Sequence, residues 1–190
     1  MNAMDVHDLV TRAKSGSVSE RELDEVALAL EHGAGKSTYR LLYVLGRMGS
    51  RRHEELVARY LDFNSDGQVA GLAVSILCTQ WALGSKYRDP LLAHLKGMPW
   101  DVLDEAKQAA ITAAGEYLRD GTDCPMLEVL LSVATTDSHD LNRRFATQAL
   151  ARALGEPHGR SVHPPGDEAE AWGADVVQRA AARFASECGP

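Results

Sequence analysis

Apolar residues recur along the chain at i, i+3, i+4 and i+7, and strict alternation over more than four residues is scarce, so the pattern predicts an all-α fold. Residues 4–14 place Val6, Leu9 and Val10 on one face and stop at Ser15-Gly16. Ser19 followed three residues later by Glu22 reads as a capping box, and the stripe Leu23, Val26, Ala27 and Leu30 then runs to Gly33. From there helical patterns end at Gly49, Gly84, Gly121 and Gly155, separated by 35, 37 and 34 residues. Each interval holds a short first helix (53–62, 89–97, 124–134) and a longer second one (68–84, 102–121, 138–155), with an earlier second helix at 37–49. Pro90 and Pro125 fall in first turns, where a missing N–H costs nothing. Ala73, Ala110 and Ala146 repeat at 37 and 36 residues and allow neighbouring helices to approach closely.

The segments 61–77 and 131–155 resemble HEAT repeats: a first helix, a short Asp-containing turn, then an arginine, spaced alanines and a Leu-Gly ending. Asp137, Leu141, Arg143, Ala146 and Ala149-Leu150 carry the match, which spans about residues 20–155 and is specific in the second and fourth units. The arginine usual after the turn is Ala70 in the second repeat and Lys107 in the third. The resemblance implies an α-solenoid of about four HEAT-like helix pairs with an N-terminal helix, stacked so that second helices line a concave wall. Residues 1–155 form the repeat domain on this reading. Residues 156–168, with three prolines and two glycines, form a linker, and 169–190 form a capping helix with Trp172, Val176, Val177, Ala180 and Phe184 on one stripe. The final Cys-Gly-Pro is expected to fray.

The formal charge of −7 disfavours a surface that tracks phosphates, so nucleic acid is an unfavoured partner. No stretch is long and apolar enough to cross a membrane, and the opening MNAMDVHDLVTRAKSG lacks a signal-peptide pattern, which points to a cytoplasmic protein. Cys78, Cys124 and Cys188 are odd in number, far apart and in no CxxC spacing, which argues against a disulfide framework and a structural zinc.

Gly33 to Thr38 (GAGKST) ends like a phosphate-binding loop, but Leu30 stands where the first glycine belongs and a helix precedes it, so it reads as an interhelical turn with Ser37 as N-cap. Asp62, Asn64, Asp66 and Gly67 copy the start of a calcium loop, yet position twelve is Ala73, and helix capping explains them better. The histidines have no metal-ligand spacing, and Cys78 falls within an apolar pattern. With no catalytic set, no cofactor and no metal expected, the reading is a non-catalytic protein-binding scaffold. Its specific form is an acidic, bacterial immunity-type inhibitor of a basic toxin or nuclease. The concave-face candidates are Arg40, Arg47, Trp81, Trp100, Asp104, Lys107, Arg143 and Arg144. HEAT-like DNA glycosylases and tetrapyrrole lyases or chaperones are the alternatives the resemblance offers.

Overall fold

The computed structural model describes residues 5–156 and 167–189, and among these every regular element is helical. Ten α-helices follow in order: α1 (Val6–Lys14), α2 (Glu20–Glu31), α3 (Thr38–Met48), α4 (Glu54–Ala58), α5 (Gly67–Val74), α6 (Arg88–Lys96), α7 (Glu105–Arg119), α8 (Cys124–Thr136), α9 (Asp140–Ala153) and α10 (Asp167–Cys188). Two compact units share the chain: unit 1 is Met1–Tyr87 with Pro99–Ala106, and unit 2 is Arg88–Met98 with Lys107–Pro190.

Local chemistry explains several helix starts. The Asp5 carboxylate accepts from the His7 and Asp8 N–H groups, and Ser19 and Glu22 form the expected capping box. Asp66 accepts from the N–H groups of Gln68 and Val69 and so opens α5, and Asp123 does the same for Met126 ahead of Pro125. Gly33, Gly49 and Gly155 adopt the left-handed conformation where α2, α3 and α9 end. Gly84 does not play that part. Ser75–Gln80 instead extend α5 as a π-helical turn, the Trp81 N–H donates to the Ile76 carbonyl at 2.9 Å, and Ala82 takes the left-handed φ of 52°. Ser37 makes no side-chain cap; the Thr38 hydroxyl donates to the Gly35 carbonyl instead, at 2.8 Å. The helix expected over 102–121 starts only at Glu105, leaving Val102 and Leu103 outside it.

In unit 1, α3 is the central helix and packs against α1, α2 and α5. Leu23, Leu42, Leu45, Ile76 and Leu77 are fully buried there, each contributing about 1.5–3 kcal/mol. In unit 2, α8 packs against α6, α9 and α10, around Leu91, Leu95, Met126, Leu127 and Leu130. Within each unit, several touching residues stand 30 to 37 positions apart. In unit 1 the Tyr60 hydroxyl donates to the Leu30 carbonyl, the Trp81 indole to Gly46, and Gln68 to Glu105. In unit 2 Arg88 pairs with Asp123, and a Cβ on Gly115 would lie 2.7 Å from the Ala149 backbone.

Of the linker expected over 156–168, residues 157–166 lie outside the described residues. Glu156 pairs with Arg179, and the chain is helical again from Asp167. α10 buries Val176 and Ala180, and its Arg183 donates to the carbonyls of Leu118, Gly121 and Ala153, which are left over at the ends of α7 and α9. Cys188 is not frayed: it forms a disulfide with Cys124, their Cα atoms 5.6 Å apart, and this overturns the expectation drawn from cysteine spacing. The separation of 64 positions hid the pair, because only the docking of α10 on α8 brings the two ends together. Cys78 is the one free cysteine and is buried.

Two stability outcomes follow. Gly115→Val should destabilise by about 1–3 kcal/mol or more in denaturant unfolding, because Ala149 backbone cannot move aside. Cys188→Ser should cost about 2–4 kcal/mol under non-reducing conditions, and a reductant should lower the melting temperature of the parent but not of the variant.

Candidate functional site

Residues 99–105 of unit 1 form a loop fixed from beneath. Asp101 is buried, and its Oδ1 accepts from the Glu105 N–H at 3.0 Å, satisfying a donor at the start of α7. The Asp104 N–H donates to the Asp101 carbonyl at 3.0 Å, and Asp104 holds a φ of 56°, a conformation Asp tolerates better than most side chains. Gly67 backs the turn so closely that a Cβ there would lie 2.5 Å from the Asp101 carboxylate. Gln68 donates to Glu105 at 2.8 Å, joining the start of α5 to the start of α7. What the anchored loop leaves outside is an aliphatic pair, Val102 at 83% exposure and Leu103 at 70%, followed directly in the chain by Asp104 and Glu105. Both residues read as helix in the sequence because they precede a helical pattern directly; Asp104, a cap-type residue just before Glu105, was the available signal that the helix begins later.

The eight candidate residues divide between the units. Arg40 and Arg47 lie on the outward face of α3, both exposed. Trp81 is corrected from partner anchor to core: it is 3% exposed, and its indole N–H donates to the Gly46 carbonyl at 3.3 Å. Trp100 is half-buried in the loop that holds Asp104. In unit 2, Lys107 is 13% exposed and pairs with Asp137, so it too is withdrawn from the surface. Arg143 and Arg144 both pair with Asp140, at 2.9 and 3.0 Å, and Arg143 also donates to the Asp137 carbonyl. These acids sit on the turn and first residue of α9, so Lys107 is paired with one carboxylate while Arg143 and Arg144 share another.

The Lys107–Asp137 pair lies in the wall of an open groove of about 470 Å³ in unit 2, between Leu95 and Lys96 on one side and Glu128, Val129, Ser132, Val133 and Thr136 of α8 on the other. Burial alone would raise the Asp137 carboxyl. Hydrogen bonds from Lys107, the His139 N–H and Asn142 outweigh it and hold the group below its ordinary value. Burial pushes the Cys78 thiol up to about 12, which suits packing rather than nucleophilic attack. Among the described residues no three His, Cys, Asp or Glu side chains converge as metal ligands, and no helix is long and apolar enough to cross a membrane. Compared with known proteins, the chain matches no family, no curated protein and no solved structure.

Because Asp137 has a depressed folded value, its stabilisation is present above the unfolded value of about 3.9 and is lost as pH falls through the folded one. Unfolding free energy should therefore drop below about pH 4. Lys107→Met should raise the Asp137 midpoint, since the hydrogen bond and positive charge of the ammonium are lost, and a carboxyl carbon NMR titration reads it directly.

Proposed function

We propose that the chain is a non-catalytic protein-binding module of stacked HEAT-like helix pairs, and that it holds a basic protein partner of the toxin or nuclease kind. The contacts between positions about one repeat apart within each unit support the stacking, since they are what successive helix pairs make when neither buries its apolar face alone. The observation that carries the binding reading is the Val102–Leu103 pair. A loop tied to two helix starts, with its aliphatic side chains turned to solvent and the acidic residues Asp104 and Glu105 next to them in the chain, has the makeup of an interface: an apolar centre with a charged edge. The edge is acidic, so it suits a basic partner and speeds its encounter. The glycosylase alternative needs a continuous basic groove, and the ion pairs of Lys107, Arg143 and Arg144 count against one. A cytoplasmic setting would keep Cys124 and Cys188 as thiols, leaving α10 to the Arg183 bonds and its buried Val176 and Ala180.

The test compares the tagged chain with its Val102→Asp/Leu103→Asp variant as baits at moderate salt. The parent should retain a basic protein in stoichiometric amount, and the variant should lose it at an unchanged melting temperature, since neither side chain is packed. Equal retention by both baits, or recovery of nucleic acid or a chromophore without protein, contradicts the proposal.

A further inference from the structure

Unit 1 also carries a surface of the opposite sign. Residues 32–53 contain Lys36, Arg40, Arg47, Arg51 and Arg52 and no Asp or Glu, in a chain of net charge −7. Arg51 is engaged by the Trp81 carbonyl, and Arg52 by Glu20 and Asp24. Among the described residues no carboxylate lies within ion-pair distance of Lys36, Arg40 or Arg47, whereas elsewhere cations are commonly neutralised, as in Arg12–Glu22 and Arg88–Asp123.

The three free cations share one face. Thr38, Leu41, Leu42, Val44, Leu45 and Gly46 are buried, so α3 shows solvent only a narrow stripe, on which Tyr39, Arg40, Tyr43 and Arg47 follow one another, with Lys36 just ahead. Tyr39 is 43% exposed and Tyr43 half-buried, so each ring lies along the strip rather than in the core. Arg40 and Arg47 are two turns apart, about 10 Å along the axis. The neighbouring α5 and its π-helical extension, residues 67–80, hold no Lys, Arg, Asp or Glu, so nothing from that side cancels the charge.

We propose that this face of α3 docks an acidic segment of a protein: a helix with Glu or Asp at one- and two-turn spacing and aliphatic side chains between them. Each guanidinium can take a carboxylate with two parallel N–H bonds. The tyrosine rings offer the flat apolar contact, with a hydroxyl at the edge, that makes Tyr and Arg the residues on which interfaces most depend. A protein segment fits better than nucleic acid. Three cations release few counterions from a polyanion, and the net negative charge opposes its approach at long range, whereas a short acidic helix makes only local contacts. With the loop of residues 99–105 facing a basic protein, the chain would join two partners of opposite charge, although the α3 face stands without that loop's role.

The test uses the full chain and a fluorescent helical peptide with glutamate at i, i+4 and i+7 and leucine at i+3, followed by anisotropy at low and moderate salt. Binding is expected, weakening with salt, reduced about tenfold or more by Arg40→Glu/Arg47→Glu and by a smaller factor by Tyr43→Ala. Arg21→Glu, a charge reversal on a 90% exposed side chain of α2, and Val102→Asp/Leu103→Asp should leave it unchanged, which separates this face from the loop. Arg40→Gln/Arg47→Gln serves as the milder variant, and melting temperatures confirm that all remain folded. Absence of binding, or equal loss in Arg21→Glu, overturns the proposal. So does tighter binding of an oligothymidylate through the same arginines, which would make the face a nucleic-acid surface.

Discussion

Close contact between helices whose touching residues stand 30 to 35 positions apart is the constraint on which each unit depends. No single helix here could bury its own apolar stripe, and the helices become stable only where a neighbour approaches within backbone contact. Gly46 and Gly115 mark how near that approach is: a Cβ on Gly46 would run into the Ile76 side chain, and one on Gly115 into the Ala149 backbone. With glycine and alanine at the crossings, Leu42, Leu45, Ile76 and Leu77 close the core of unit 1, while Ile111, Leu118 and Leu127 do so in unit 2. The polar contacts follow the same spacing, so that Trp81, Tyr60 and Arg88 each satisfy a group 30 to 35 positions away.

What was legible in the sequence was what local chemistry decides. The Ser19–Glu22 capping box, the Asp66 cap and the left-handed Gly49 and Gly155 depend on residues within four positions of one another, and the pattern gave each of them. The all-helical fold followed from periodicity for the same reason. The missed features need partners far along the chain. The π-helical turn at Ser75–Gln80 arises where Trp81 inserts beneath Gly46, and the Cys124–Cys188 bond exists only once α10 is docked. Lys107 looked like a wall cation because Asp137, thirty residues away, could not be placed against it.

The candidate site was legible by composition and illegible by exposure. Sequence named Arg40, Arg47, Trp100 and Asp104, and the structure keeps the two arginines exposed and the other two on a half-exposed loop, yet it removes Trp81 to the core. Val102 and Leu103 escaped notice because two aliphatic residues before an amphipathic stretch resemble its first turn. The Asp101 side-chain cap and the left-handed Asp104 backbone delay the helix start past them, and apolar periodicity registers neither. In unit 1 acids stand along α2 as well as at the starts of α5 and α7, while among the described residues Arg40 and Arg47 on the outside of α3 have no carboxylate within ion-pair distance.

The proposed docking of a protein on the loop at residues 99–105 is open to trapping by crosslinking. A photo-reactive benzoylphenylalanine at position 103 tests it most directly, with position 141, where Leu141 is 50% exposed, as the comparison. Irradiation in the native lysate should link position 103 to one basic protein and position 141 to none in comparable yield. Identical adducts from both positions, or none from position 103, would contradict the account.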